Sequence, residues 1–264
     1  MSQAEIIKSP IISVVHSPAN QAKNGSSGPK PSAAWPNDAI TTFAWNSSPI
    51  TIVEEVDLPG RLDARLVALH APTSAQTQAY RLLEHRLYTK TNPRVIAVTS
   101  AEPGAGKTTC AANLALVLAE APLARVLLID ANLVRPGIAD LFGYEPSDNL
   151  MTKLLRSGDA APPYAVASVS QSSLHLAALK DDSGRGRRID RALFSEALRS
   201  LRSAYDYVII DTASALESAD VNAVSECADG VVMVARAGKS RQGNLRRAIQ
   251  QLPPASVLGT VLLD

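Results

Sequence analysis

Apolar and polar residues follow two different periods along the chain after about residue 62. Short continuous apolar runs are typical of strands buried on both faces of a sheet. They alternate with longer stretches in which apolar residues recur every three or four positions, as on one face of a helix. The apolar runs predict strands at 95–98, 126–129, 206–214, 230–236 and 256–264, and an alternating pattern predicts a strand at 173–179. The helical spacing predicts helices at 74–89, 107–120, 136–142, 148–157, 189–205, 217–228 and 240–251. This alternation predicts an α/β fold, a mainly parallel sheet with helices on both faces.

The first 57 residues differ from the rest of the chain in composition. Seven of the 17 prolines lie in the first 60 residues, and NGSSGPKPS at 24–32 has the composition of a linker. We therefore expect a disordered tail over 1–57, followed by one domain over 58–264. Trp35 and Trp45 lie in the tail, either as loosely packed aromatics or as part of a docking segment for a partner. The segment 62–72 is expected to dock in extended form ahead of the first helix.

Residues 94–113 hold the order strand, small-residue loop, helix. Gly104 and Gly106 of the loop AEPGAGKT let backbone N–H groups turn inward around an anion, and the following helix adds the positive end of its dipole. Lys107 has the length to reach the outer phosphates of a nucleotide, and the Thr108 hydroxyl is placed to bind Mg²⁺. This context predicts a phosphate-binding loop. Its candidate nucleotide-binding residues are Pro103, Gly104, Ala105, Gly106, Lys107, Thr108 and Thr109.

Two more of the predicted buried strands end in an aspartate. Asp130 follows the apolar run 126–129, and Asp211 follows the run 207–210. Because ligands of parallel α/β sheets bind at the carboxyl ends of the strands, both carboxylates are expected near the phosphate-binding loop. Mg²⁺ prefers hard oxygen ligands, so Asp211 is expected to hold the metal of a nucleotide. The alternative for an aspartate in this position is a cap or a turn residue.

Composition and charge indicate the cellular compartment of the protein and the partners that it is expected to bind. The 264 residues carry a net charge of +1, so no overall field directs the chain to nucleic acid or to a membrane. Cys110 and Cys227 are not spaced as metal ligands and are expected to be reduced thiols. No apolar run approaches the roughly 18 residues of a membrane span. We therefore expect a cytoplasmic protein that does not bind nucleic acid. The basic stretch 236–247 predicts a solvated surface or a docking site for an acidic partner or membrane.

The stretch LLIDANLVRP, 127–136, resembles the second acidic motif of the MinD/ParA-like superfamily of P-loop ATPases. More narrowly, it is similar to the bacterial tyrosine kinases (BY-kinases) of capsule and exopolysaccharide synthesis. The resemblance covers roughly residues 62–264. It includes the stretches LVALHAPTSAQTQAYRLLEHRL, VTSAEPGAGKTTCAANLA, LLIDANLVRPGIADLFG and YDYVIIDTAS.

This resemblance implies roles for individual residues. The loop from Ala101 to Thr108 would bind ATP, and Asp130 would act near the γ-phosphate as a metal partner or as the base for the attacking hydroxyl. Asp211 would hold Mg²⁺ through water. The implied catalytic residues are Lys107, Asp130 and Asp211, and the implied metal ligands are Thr108, Asp130 and Asp211. Arg135 would face phosphate or a neighbouring subunit, its alternative being a surface salt bridge.

The chain departs from the family pattern at several positions. Asn132 stands where the family has the second aspartate of Asp-x-Asp, and an amide carries no negative charge and does not accept a proton as a carboxylate does. The family helix that helps to assemble a ring carries Glu-x-x-Arg-x-x-Arg, whereas this chain has Gln78, Arg81 and Glu84. The six tyrosines do not cluster into the tyrosine-rich tail of the family, and Tyr205 and Tyr207 are expected to be packed.

Two hypotheses for the function follow. The first is an ATP- and Mg²⁺-dependent protein-tyrosine kinase of exopolysaccharide or capsule biosynthesis. It would partner the cytoplasmic segment of a membrane-embedded polysaccharide chain-length regulator, which would recruit it to the inner face of the membrane, and it would form a homo-oligomer. The second is a MinD/ParA-like ATPase switch that regulates such a partner without phosphorylating protein. A DNA-partitioning ATPase fits less well, because Glu102 replaces the early loop lysine of that group.

Overall fold

The computed structural model describes residues 11–15, 49–58, 63–157, 160–180, 186–253 and 257–264. The strands in these ranges are β1 (Ile11–Val15), β2 (Ile50–Val56), β3 (Val95–Ser100), β4 (Val126–Ala131), β5 (Tyr164–Val169), β6 (Leu174–Ala177), β7 (Tyr207–Thr212), β8 (Gly230–Arg236) and β9 (Val257–Leu263). The helices are α1 (Val67–His70), α2 (Ala75–Lys90), α3 (Lys107–Leu118), α4 (Ile138–Phe142), α5 (Leu150–Ser157), α6 (Arg191–Ala204), α7 (Asp220–Cys227) and α8 (Gln242–Gln251).

The described strands form one sheet in the order β1-β9-β8-β3-β7-β4-β6-β5-β2. Every pair in this order is parallel except β5 with β6, which is antiparallel. The three central strands β3, β7 and β4 are apolar and almost wholly buried, as expected where helices cover both faces of a parallel sheet. The carboxyl ends of these strands therefore lie side by side.

Two hydrophobic cores lie on opposite faces of the sheet, because successive side chains of a strand point to opposite faces. From β3, Ile96 and Val98 enter the core that is covered by α1 to α4. Val95 and Ala97 of the same strand enter the core that is covered by α5 to α8. This arrangement confirms the predicted α/β fold with a mainly parallel sheet and helices on both faces.

Most predicted elements agree with the structure to within a few residues. The strand at 230–236 is observed as predicted, and the helix predicted at 74–89 is α2, whose N-cap Ser74 accepts a hydrogen bond from the Thr77 backbone N–H. One prediction was wrong, because the segment 62–72, expected to be extended, contains the helix α1. The strands β1, β2 and β5 were not predicted.

Two strands lie in the range 1–57 that the sequence assigns to a tail. β2 pairs in parallel with β5 at one edge of the sheet, and β1 pairs with β9 at the other. The division of the chain at residue 57 stays a prediction, although residues 50–56 belong to the sheet. Trp35 and Trp45 lie outside the described residues.

Candidate nucleotide-binding site

The loop between β3 and α3 has a backbone conformation that two glycines make accessible. Gly104 has φ +73° and Gly106 has φ +94°, in the left-handed region that L side chains rarely adopt. Space is also tight, because a β-carbon on Gly106 would lie 2.5 Å from Leu263 Cδ1. Gly106 is the N-cap of α3, and its carbonyl accepts the first helical hydrogen bond from the Cys110 N–H, at 2.9 Å. The loop thus leads directly into a helix N-terminus, the arrangement that binds phosphate.

Lys107, the first residue of α3, is buried and lies between acidic and hydroxyl groups. Its Nζ donates to Ser214 Oγ at 3.5 Å. Burial lowers the pKa of the Lys107 ammonium, while the carboxylates of Asp211 and Glu217 oppose that change. A buried ammonium with one long hydrogen bond has unused donors, which suits it to bind an anion in the loop.

Thr108, the second residue of α3, meets Asp211 near the carboxyl end of β7. Thr108 Oγ1 donates to Asp211 Oδ2 at 2.6 Å. Asp211 Oδ1 is buried and has no hydrogen-bond partner in the described part of the chain. A buried carboxylate oxygen left without a donor is costly, and a hydrated cation would satisfy it. The pair Thr108–Asp211 therefore fits the hard oxygen donors that Mg²⁺ prefers.

Asp130 lies beside Asp211, because the two residues are register partners on the neighbouring strands β4 and β7. Burial raises the pKa of both carboxyl groups, and for Asp211 the negative charge of Asp130 adds to the effect. Two buried carboxylates this close resist joint ionisation unless a positive charge compensates them. Lys107 supplies charge of the required sign, and a bound divalent cation would add to it.

The carboxylate of Asp130 is also held by the backbone of the loop that follows β4. Its Oδ1 accepts from the Asn132 N–H at 3.1 Å, and its Oδ2 accepts from the N–H groups of Gly137 and Ile138 at 3.0 and 3.1 Å. Asn132 extends this arrangement, since its Oδ1 accepts from the Arg135 N–H at 3.1 Å. Asp130 and Asn132 thus fix the course of residues 131–138 along the edge of the site.

Arg135 lies at the outer edge of this loop, with its side chain 68% exposed and its Nη2 3.3 Å from Glu217 Oε1. Glu217 Oε2 in turn accepts from Ser214 Oγ at 3.2 Å. A chain of polar contacts therefore runs from Lys107 through Ser214 and Glu217 to Arg135. The salt bridge named as the alternative for Arg135 is present in the structure.

The structure brings Lys107, Thr108, Asp130 and Asp211 together and leaves Arg135 at the rim. Sequence reasoning missed Ser214 and Glu217, which reach the site from the turn after β7. No motif marks these two residues, because their contribution depends on the path of that turn. Asn132 takes part in the loop that follows β4, because its side-chain oxygen accepts from the Arg135 N–H.

Comparisons with known proteins agree with this fold. A ParA family model, described as NUBPL iron-transfer P-loop NTPase, matches residues 92–256. The chain therefore belongs to the ParA family of P-loop NTPases, which confirms the superfamily suggested by the motifs. Within that superfamily it is similar to the BY-kinases, as the motifs suggested.

Three known proteins illustrate the relationship. The tyrosine-protein kinase YwqD of Bacillus subtilis is 29% identical over 76% of this chain and 86% of its own length. The succinoglycan biosynthesis transport protein ExoP of Rhizobium meliloti is 30% identical over 74% of this chain, but the match spans only 26% of that protein. The crystal structure of the VpsO kinase domain is 29% identical, with a TM-score of 0.58 over 71% of this chain and 93% of that domain.

Two further findings bear on the expectations from composition. Both cysteines are free, Cys110 buried and Cys227 half-buried. Within the described ranges, no helix is long and apolar enough to cross a membrane.

Proposed function

We propose that this chain is an ATP- and Mg²⁺-dependent protein-tyrosine kinase of exopolysaccharide or capsule biosynthesis. The observation that carries the proposal is the convergence of Lys107, Thr108, Asp130 and Asp211 at the carboxyl ends of three adjacent parallel strands. The match to YwqD over 86% of that kinase supports the assignment.

Each of these residues has a task that its surroundings suit. The loop 101–108 and Lys107 bind the phosphates, and the ammonium neutralises charge on the transferred group. Thr108 and Asp211 would hold Mg²⁺, which supplies further positive charge at the phosphates when it is bound. Asp130 orients the loop 131–138 through its three hydrogen bonds and is the candidate base for the tyrosine hydroxyl. Catalysis then rests mainly on positioning and electrostatic stabilisation.

We further propose that the kinase works with a membrane-embedded polysaccharide chain-length regulator at the inner face of the membrane, and that it forms a homo-oligomer. ExoP supports the first idea, since a protein named for succinoglycan transport contains a region similar to this chain. Arg81, the residue that matches the ring-forming motif, is engaged within its own chain by Glu120 and the Pro72 carbonyl. Self-association would therefore use other contacts or require Arg81 to change partners.

An ATPase switch without kinase activity is the second candidate. It is favoured by the engagement of Asp130, whose two oxygens already accept three backbone hydrogen bonds. These hydrogen bonds direct both oxygens at the backbone of the loop 131–138, although burial raises the pKa of this carboxyl group. Asn132 adds no second carboxylate to replace it.

The test follows both products in one reaction. Purified protein is incubated with Mg²⁺ and γ-labelled ATP, with and without the cytoplasmic segment of a candidate regulator, and labelled tyrosine and free phosphate are measured. Lys107→Ala and Asp211→Asn are the site variants. Arg199→Ala, which removes an exposed cation from α6, is the control for general loss of positive charge.

The two candidates predict different outcomes. A kinase gives labelled tyrosine in the wild type and in Arg199→Ala, and loses it at least a hundredfold in both site variants, in line with losses of several kcal/mol of transition-state stabilisation. Free phosphate without labelled tyrosine under every condition would contradict the kinase proposal and support the ATPase switch.

A further inference from the structure

A second lysine lies against the phosphate-binding loop, outside the motif. Lys239 belongs to the turn between β8 and α8, and its Nζ lies 2.8 Å from the position that a β-carbon on Gly104 would occupy. The absence of a side chain at Gly104 therefore leaves room for the ammonium group beside the loop backbone. Lys239 is part of the basic stretch 236–247, which the proposed function does not otherwise use.

The turn that carries Lys239 is fixed by hydrogen bonds. The Ala237 N–H donates to the Leu263 carbonyl at 2.6 Å, and the Ser240 N–H donates to the Arg236 carbonyl at 2.9 Å. Gly238 has φ +68°, which permits the chain to reverse directly before Lys239. Because Leu263 also contacts Gly106, this turn and the phosphate-binding loop are held by the same strand.

A second contact joins the other end of the turn to the loop. Glu102 accepts from Asn244 Nδ2 at 2.6 Å and from the Arg241 N–H at 3.4 Å. The carboxylate of Glu102 is thus occupied at the start of α8. In the part of the chain that the structure describes, no carboxylate pairs with the Lys239 ammonium. Its positive charge is uncompensated at the place where a polyanion would bind.

We propose that Lys239 binds a phosphate oxygen of the nucleotide, as a second ammonium beside that of Lys107. A cation at this position strengthens anion binding through a charge-assisted hydrogen bond, which is roughly twice as strong as a neutral one. The inference rests on the proposed function only for the identity of the ligand, a nucleoside phosphate. It does not depend on transfer of the phosphoryl group to tyrosine.

The test measures nucleotide affinity rather than activity. Dissociation constants for ATP and for ADP, each with Mg²⁺, are measured by calorimetry on the full chain for the wild type, Lys239→Gln and Lys239→Arg. Arg247→Gln is the matched control, since it removes an exposed cation from α8. Melting temperatures verify that each variant is folded.

We expect Lys239→Gln to raise the Kd for ATP about tenfold, the size of one partly solvated charge-assisted contact. Lys239→Arg should retain most of the affinity, and Arg247→Gln should stay within about twofold. The salt dependence of ATP binding should also be weaker in Lys239→Gln, because screening acts on the charge that was removed.

The possible results distinguish this proposal from the kinase proposal. A loss for ATP alone places the contact at the γ-phosphate, and an equal loss for ADP places it at the α- or β-phosphate; both support the proposal. A Kd for Lys239→Gln within about twofold of Arg247→Gln overturns it, as does a wild type that binds neither nucleotide. A wild type that binds ATP but labels no tyrosine removes the kinase proposal and leaves this one standing.

Discussion

The Thr108 hydroxyl is the group of the site on which a bound Mg²⁺ would act most directly. In the structure it donates to Asp211 Oδ2 at 2.6 Å, while Asp211 Oδ1 has no partner among the described residues. With Mg²⁺, the hydroxyl oxygen would become a metal ligand. We expect Thr108→Val, which keeps the shape and removes the hydroxyl, to weaken ATP binding about tenfold in Mg²⁺, as one lost contact of about 1.4 kcal/mol would.

The control for this prediction is Thr108→Ser, which keeps the hydroxyl and should bind ATP nearly as the wild type does. Calorimetric titration with Mg²⁺ and with EDTA compares the two variants. The predicted loss for Thr108→Val should disappear in EDTA, because no metal is then bound in either protein. An equal loss in both conditions would mean that the hydroxyl acts on the protein fold rather than on the metal.

His175 gives a second prediction at the residue scale, on stability against pH. It lies buried in β6, with Nδ1 2.8 Å from the Tyr205 hydroxyl, and burial lowers its pKa from 6.5 to about 4. Between pH 6.5 and pH 4, His175 is therefore protonated in the unfolded chain and neutral in the folded chain. Stability is kept above that window and lost as the pH falls through it. We expect His175 to remove about 2 kcal/mol from the free energy of unfolding between pH 7 and pH 5.

Urea unfolding of the wild type and of His175→Asn at both pH values isolates this contribution. Asparagine offers a side-chain polar group to Tyr205 and does not titrate. Other groups, such as the buried carboxyls of the site, contribute equally to both proteins and cancel in the difference. If both proteins lose the same free energy between pH 7 and pH 5, His175 is not the group responsible.

Some residues of the site could be predicted from the sequence, and others could not. Lys107 and Thr108 could be predicted because a contiguous motif places them at a helix N-terminus. Asp130 and Asp211 could be predicted because parallel strands end at a common edge. Glu217 and Lys239 could not, since they approach from turns whose path depends on contacts such as Leu263 O with the Ala237 N–H.

At the scale of elements, the buried side-chain amide of Asn113 holds the segment that contains α1. Asn113 of α3 accepts from the Ala68 N–H at 3.0 Å and donates to the Arg65 carbonyl at 2.7 Å. These bonds fix α1 against α3, which begins at the phosphate-binding loop. We expect Asn113→Ala to lower the free energy of unfolding by about 2–3 kcal/mol, because it leaves buried backbone groups unpaired.

Urea unfolding measures this loss, with Asn222→Ala on α7 as the control. That substitution lies in a helix, replaces a half-buried residue and should change stability by less than about 1 kcal/mol. A similar small effect for both variants would show that α1 is held by its apolar contacts and that the amide of Asn113 adds little.

The elements that the sequence predicts best are those with a continuous apolar pattern. β3, β4, β7 and β8 are buried on both faces and were expected within one or two residues of their bounds. β5 was missed because YAVASV mixes small, polar and apolar residues. β2 was missed because the exposed residues of an edge strand carry no signal of burial.

At the scale of the whole molecule, the position of the tyrosines limits how the chain would phosphorylate itself. All six tyrosines lie in described ranges, and Tyr88, at 58% exposure, is the one among them that is exposed. Tyr88 lies near Pro93 and Tyr207, at the amino ends of β3 and β7. The phosphate-binding loop follows the carboxyl end of β3, and a six-residue strand is on the order of 20 Å long. Tyr88 therefore lies too far from the site of its own chain.

We expect self-phosphorylation to occur on Tyr88 and between two molecules, so that its initial rate rises with the square of the protein concentration. A mixing experiment tests this directly. Lys107→Ala retains Tyr88 as an acceptor and lacks phosphate binding, and Tyr88→Phe retains the site and lacks the acceptor. Each alone should incorporate little labelled phosphate, while the mixture should label the tagged Lys107→Ala chain.

Matched controls make this mixing experiment decisive. Tyr207→Phe, half-buried in β7, should still be labelled when it replaces Tyr88→Phe, because it keeps the exposed acceptor. Labelling of Tyr88→Phe alone at the wild-type rate would contradict the assignment of the acceptor. A wild-type rate per molecule that is independent of concentration would contradict transfer between molecules, since a tyrosine at the opposite end of the sheet reaches a phosphate-binding loop only on a second chain.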